Sequence, residues 1–171
     1  MNLNLIKKFK HTIEQELDKS CNEIIKQIDS VLIPKANDPT SKVFYLKMKA
    51  DYYRYIAEYS NEREQVVEKA SQAYSDATKI ANSELETTDP IRLGLALNYS
   101  VFFYEIKEDP REACQMAKKA FDEAIVDIEN IKDTDYKDST TIMQLMRDNL
   151  TLWTQELEEE DAENDNDNWF K

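Results

Sequence analysis

One glycine, one histidine, two cysteines and four prolines in 171 residues leave the chain short of the parts from which many folds and most active sites are built. A sheet joined by tight turns needs residues that accept positive φ, and a single glycine supplies almost none, so the chain reads as all-α. Cys21 and Cys114 make no disulfide framework, and neither has a second cysteine or a histidine at metal-ligand spacing. Both are expected to be reduced residues packed between helices, with no metal site. His11 lies in a lysine-rich stretch and reads as a solvated side chain rather than a catalytic base. The many carboxylates lack histidine or cysteine companions, so neither an enzyme nor a cofactor is expected. An extended basic surface is missing too: 22 lysines and arginines stand against 35 acids, a formal charge of −13, which argues against nucleic acid as a partner. No charged leader with an apolar run and no window of transmembrane length is found, so no membrane is expected and a cytoplasmic location is. The sequons Asn98-Tyr-Ser and Asn149-Leu-Thr are then chance matches.

What is present is written for helices. Pro34 closes a first helix. Asp38-Pro39, Asp89-Pro90 and Asp109-Pro110 each set a capping carboxylate before a proline at the first helical position, where its missing N–H costs nothing. Glu112 gives Asp109 the spacing of a capping box, Asn61 with Glu64 repeats it, and Asp138-Ser139 opens a last segment. Six helices are predicted, over 3–33, 39–60, 61–83, 90–107, 110–130 and 138–158. Short connections favour antiparallel neighbours, giving one helical bundle over 1–158. In the first helix Ile6, Phe9, Ile13, Leu17, Ile24 and Ile28 recur mostly at three- and four-residue steps, an apolar stripe. From Glu156 onward eight acids face Lys171 alone, and 159–171 lacks periodicity, so an acidic disordered tail is predicted there. Trp169 and Phe170 stand out in that tail, either as loose terminal residues or as a short docking motif.

Chemistry concentrates on two faces. In the second helix Lys47 and Arg54 are nearly two whole turns apart and share a face, with Tyr55 adjoining. Arg54 offers a planar fork that fits phosphate, Lys47 a compact charge and Tyr55 a hydroxyl. The plainer reading of the same spacing is a solvated face on which Asp51 pairs with Arg54. A second pattern sets Leu97, Asn98 and Val101 on one side of the fourth helix, and Leu145, Asn149, Leu152 and Trp153 on one side of the sixth. A side-chain amide beside apolar residues can grip an extended peptide backbone along a trough, although periodicity alone would make these leucines core.

At these residues the chain resembles the 14-3-3 proteins. The stretches "SKVFYLKMKADYYRYIAE" (41–58), "DPIRLGLALNYSVFFYEI" (89–106) and "YKDSTTIMQLMRDNLTLWT" (136–154) match that family almost throughout and in its order, with "ELDKSCNEII" and "KAFDEAI" as weaker matches between. The resemblance implies the last six helices of a nine-helix fold and a non-catalytic adaptor. It would bind phosphoserine or phosphothreonine segments in an amphipathic groove, as a homo- or heterodimer with 14-3-3 relatives. By match, Arg54 and Tyr55 would hold the phosphate with Lys47 on the same wall, and Asn98 and Asn149 would clamp the ligand backbone. Leu97, Val101, Leu145, Leu152 and Trp153 would form the apolar wall, and Glu105 would orient cations or ligand groups. The same resemblance implies a short form without the first three helices, which in the family carry most of the dimer interface and two further basic residues of the phosphate pocket. Ala50 stands where the family often has glycine, and the loop near Ser60–Glu64 is shorter. The alternative expectation is a structural or regulatory fragment that associates with itself or with full-length relatives without binding phosphopeptides independently.

Overall fold

A computed structural model describes the backbone of residues 3–168 and the side chains of residues 3–162. Among the described residues the chain is all-helical: α1 (Leu3–Gln27), α2 (Pro39–Ala57), α3 (Arg63–Glu84), α4 (Pro90–Glu105), α5 (Pro110–Val126) and α6 (Tyr136–Asn168). They belong to two compact units, Met1–Ala81 and Asn82–Lys171. No described helix is long and apolar enough to cross a membrane.

The three Asp-Pro signals cap as predicted. Asp38 accepts from the Ser41 amide at 2.8 Å, Asp89 from those of Ile91 and Arg92, and Asp109 from that of Glu112 at 3.0 Å. Each satisfies a backbone donor that the first turn would leave unpaired. The capping box at Asp109 is only half of one, because the Asp109 amide donates to the Phe103 carbonyl at 2.9 Å. Two other starts differ from expectation. α3 begins at Arg63 rather than Asn61, after a turn in which the Glu62 amide donates to the Ser60 hydroxyl. α6 begins at Tyr136, so Ser139 sits inside the first turn. There its hydroxyl donates to the buried Thr88 carbonyl at 2.7 Å instead of capping.

Helix ends also carry information. α1 passes through a π-helical segment, Ile28–Leu32, and a closing turn, Ile33–Lys35, before extended Ala36. Pro34 has no N–H to give its turn and crowds the preceding one, and a widened turn accommodates both effects. With so few glycines, the left-handed position after α4 falls to Glu108, at φ 55°. The amides around it, Ile106, Lys107 and Asp109, close on the carbonyls of Phe102 and Phe103. α5 stops at Val126, and a 3₁₀ turn, Ile128–Asn130, completes the segment predicted to 130. The helix expected to end near 158 has helical backbone through Asn168, and Arg111 pairs with Asp161 at 2.5 Å along the way. Trp169 and Phe170 lie outside the described residues.

The second unit packs through two clusters. Leu93, Ala124, Met143 and Met146 are buried together, with Leu97, Phe121 and Ile142 against them. Ala113, Ala117 and Trp153 form the other, with Val101, Phe103, Tyr104 and Leu150 around it. Alanines at 113, 117 and 124 on α5 let α4 and α6 approach closely enough for these large side chains to interlock. In the first unit Cys21, Ile25, Ile28, Val43, Ala50, Tyr74 and Ala77 are buried. Ala50, which stands where the family often has glycine, is wholly buried. Cys21 and Cys114 are free thiols, and burial pushes both away from the reactive thiolate.

The N-terminal half of α1 is different. Ile6, Phe9, Ile13 and Leu17, four residues of its predicted stripe, are all exposed, Phe9 at 67 %.

Candidate functional site

On α2 the site begins with a buried carboxylate. Asp51 is 8 % exposed, and a charge so placed must be paired and hydrogen-bonded to be tolerated. One turn earlier, Lys47 reaches it: Nζ donates to Asp51 Oδ2 at 2.7 Å. From α3 the Tyr74 hydroxyl donates to Asp51 Oδ1 at 2.5 Å, and the Tyr74 oxygen in turn accepts from Arg54 Nε at 3.3 Å. The direction of each bond is fixed, because a carboxylate only accepts and a guanidinium only donates. Arg54 also lies over the Tyr55 ring, 4.8 Å from its centroid, and Tyr55 itself is exposed. Burial opposes the Arg54 charge, but Tyr74 and Asp51 outweigh it and hold the guanidinium firmly protonated. Burial, followed by the adjacent carboxylate, pushes the Tyr74 hydroxyl far above its ordinary range, so it keeps its proton.

The plainer reading of the spacing set Asp51 on a solvated face, whereas it is buried and receives both Lys47 and Tyr74. Sequence reasoning missed Tyr74 altogether. The available signal was a tyrosine set among Val66, Ala70, Ala73, Ala77 and Ala81 on the buried face of α3. An aromatic hydroxyl on an alanine stripe has to find a polar partner inside.

The second unit holds the other predicted residues. Leu97 and Val101 on α4 are half-buried against the two clusters, Asn98 is half-buried between them in sequence, and Glu105 is exposed. On α6, Asn149 is half-buried, while Leu145 and Leu152 are 48 % and 53 % exposed. Trp153 is only 3 % exposed. Its ring stacks on that of Tyr104, centroids 4.7 Å apart, so most of its surface is spent on packing α6 to α4. The Tyr104 hydroxyl donates to Glu156, and this bond leads burial in raising the phenol to about 12. Arg92 braces the start of α4, donating to the Leu85 carbonyl at 2.8 Å and pairing with Glu123 at 3.0 Å. Lys47, Arg54 and Tyr55 thus come together within the first unit, and the two asparagines and apolar residues on α4 and α6 within the second.

The first unit also contains an open groove of about 540 Å³ between α1 and residues 59–62, lined by His11, Glu14, Asp18, Lys19 and Tyr59 among others. Its charges are of both signs. Among the described residues no group of histidine, cysteine and carboxylate side chains is arranged to hold a metal ion.

Comparison with known proteins places these residues in context. A family model described as 14-3-3 protein matches residues 1–154. The chain is 54 % identical over 160 residues to 14-3-3-like protein 1 of Caenorhabditis elegans, covering 93 % of this chain and 64 % of that protein. It is 56 % identical over 160 residues to 14-3-3-like protein RA215 of Solanum tuberosum, covering 92 % and 63 %. To the 14-3-3 protein homolog of Neospora caninum it is 53 % identical over 159 residues, covering 92 % and 60 %. The chain thus spans less than two thirds of the length of these three relatives.

Proposed function

Because the chain belongs to the 14-3-3 family, we propose that it is a non-catalytic adaptor module that binds phosphoserine or phosphothreonine segments of partner proteins. In this reading Arg54, Tyr55 and Lys47 take the phosphate. Asn98 and Asn149 hold the ligand backbone, Leu97, Val101, Leu145, Leu152 and Trp153 supply an apolar wall, and Glu105 orients polar groups. The observation that carries it is the braced pair of cations on α2. Arg54 and Lys47 are joined through Tyr74 and Asp51 rather than waving in solvent, so little side-chain entropy remains to be lost when an anion docks. Exposed Leu145 and Leu152 support the apolar part, since large apolar side chains left open on a helix face suit a partner. Titrating a fluorescent phosphopeptide and its unphosphorylated twin against the chain tests the reading. Binding that depends on the phosphate is expected, and equal binding of the two peptides would remove it.

A second reading is favoured by the open stripe on α1. The family supports dimerisation in general, and Ile6, Phe9, Ile13 and Leu17 offer an apolar strip for a second copy or a full-length relative. Lys7, Lys8 and Lys10 lie on the N-terminal side of its middle, and Glu14, Glu16 and Asp18 on the other. Two copies of α1 laid antiparallel would place opposite charges side by side. Covering a few hundred Å² would contribute several kcal/mol at roughly 25 cal/mol per Å², before association costs. Light scattering, with hydrogen exchange over residues 3–20, is expected to show association and protection; a monomer with rapid exchange there would exclude self-pairing.

A further inference from the structure

We propose that Tyr136 is a phosphorylation site of this chain, the hydroxyl that a tyrosine kinase with a basic substrate cleft modifies using MgATP. The proposal is independent of the phosphopeptide reading, since here the chain is the substrate. Exposure is its first ground. All nine tyrosines lie among the described residues, and only Tyr55 and Tyr136 are exposed, at 41 % and 55 %. Of the others, Tyr74 is buried in α3, the Tyr104 hydroxyl is taken up by Glu156, and the Tyr59 hydroxyl is shut away from water.

Access to the hydroxyl is not enough, because a kinase takes its substrate as a locally extended segment, so the neighbouring residues must come free as well. Around Tyr55 they are held. Ile56 and Ala57 are 4 % and 1 % exposed and the Arg54 guanidinium lies over the ring, so straightening α2 there would pull core residues into water. Around Tyr136 they are loose. Residues 131–135 lie outside any helix, residues 132–138 are all exposed except half-buried Asp135, and the first buried side chain beyond them is Ser139. Straightening this stretch gives up the bonds of the Asp135 and Tyr136 amides to the Lys132 carbonyl and of the Ser139 amide to the Asp135 carbonyl. The Ser139 hydroxyl can meanwhile keep α6 tied to the Thr88 carbonyl, 2.7 Å away.

Charge selects the kind of kinase. Asp133, Asp135 and Asp138 flank the ring against Lys132 and Lys137, on a chain of formal charge −13, and a basic cleft is drawn to such a segment. In the transfer the Tyr136 oxygen bonds to the γ-phosphorus of ATP and the bond from that phosphorus to the bridging oxygen breaks. ADP leaves, and the phenolic proton passes to the kinase's carboxylate base. The product carries about two more negative charges on a side chain that faces water, so it is a mark for recognition rather than a lever on the fold.

Incubating the folded full chain with MgATP and a recombinant tyrosine kinase that prefers acidic substrates, then mapping the product by mass spectrometry, tests the proposal. A synthetic peptide of residues 130–141 serves as the kinase control. One phosphate per chain is expected, on Tyr136, and Tyr136→Phe should abolish nearly all incorporation. Asp133→Asn combined with Asp135→Asn should slow labelling by about tenfold. The phosphorylated chain should melt within about 2 °C of the unmodified one. The proposal is overturned if the peptide is labelled and the folded chain is not, or if Tyr55 is labelled as fast as Tyr136. An unlabelled peptide overturns it too, because the acidic flank then recruits no such kinase. Labelling at an unchanged rate in the double asparagine variant, or a large fall in melting temperature on phosphorylation, would likewise contradict an acid-directed mark on an outward-facing side chain.

Discussion

The N-terminal half of α1 and the bundle of α4, α5 and α6 carry apolar stripes of similar period, yet one is open to water and the other closed. Phe9 and Ile13 are exposed, while Met146 and Trp153 are buried between neighbouring helices. Helical periodicity states that a face is apolar; it does not state what lies against it. In the second unit the cover comes from small residues on α5 that admit large ones from α4 and α6. On α1 the described chain supplies no such neighbour for Ile6, Phe9, Ile13 and Leu17, and the stripe remains a surface in search of a partner.

The widest contrast between the regions should appear in stability. Trp153→Ala removes a ring stacked on Tyr104 and opens a cavity beside Ala113 and Ala117, so a loss of about 3–5 kcal/mol is expected. Chemical denaturation followed by near-UV circular dichroism would measure it, and a loss under about 1 kcal/mol would mean that the bundle is looser than its burial implies.

Binding should divide along the same line, charge recognition in the first unit and backbone recognition in the second. Arg54→Ala is expected to weaken phosphopeptide binding by roughly 1.5–3 kcal/mol, more than Lys47→Ala, because a planar fork makes charge-assisted bonds that a point charge does not match. Isothermal titration with both variants, checked for unchanged helicity, would show the order, and a reversed order would shift the main phosphate contact to Lys47.

Asn98→Ala and Asn149→Ala should each cost about 1 kcal/mol or somewhat more in the same titration, through ligand backbone groups left unpaired. If both prove silent in binding while lowering the melting temperature, these amides belong to the fold and the second unit contributes less to recognition than proposed.

The smallest effect should come from Phe9→Ala. On an exposed face of an unassociated chain it ought to change stability by less than about 0.5 kcal/mol. Measured across a range of protein concentrations, the variant sharpens the comparison. A cost that grows with concentration would show that another molecule covers the α1 stripe, as α5 covers the faces of α4 and α6.

Much of this architecture was legible in the residues themselves. Asp38, Asp89 and Asp109 before prolines announce helix starts because a cap and its helix are neighbours in sequence, and so the whole interaction is written locally. The family signature that carries Arg54, Tyr55, Asn98 and Asn149 is local in the same sense, whereas the pairing of Lys47 with Asp51 was not read from the spacing, which suggested Arg54 as the partner. Tertiary structure alone decided the rest. It brought Tyr74, twenty residues beyond Arg54, into hydrogen bonds with both Arg54 and Asp51; it turned Ser139 from a cap into a donor for Thr88; and it buried Trp153 while leaving Leu152 exposed beside it. Each of these depends on which helix lies alongside. That is set by the fit of whole faces, with shape and volume summed over many side chains, and no short stretch of sequence contains that sum.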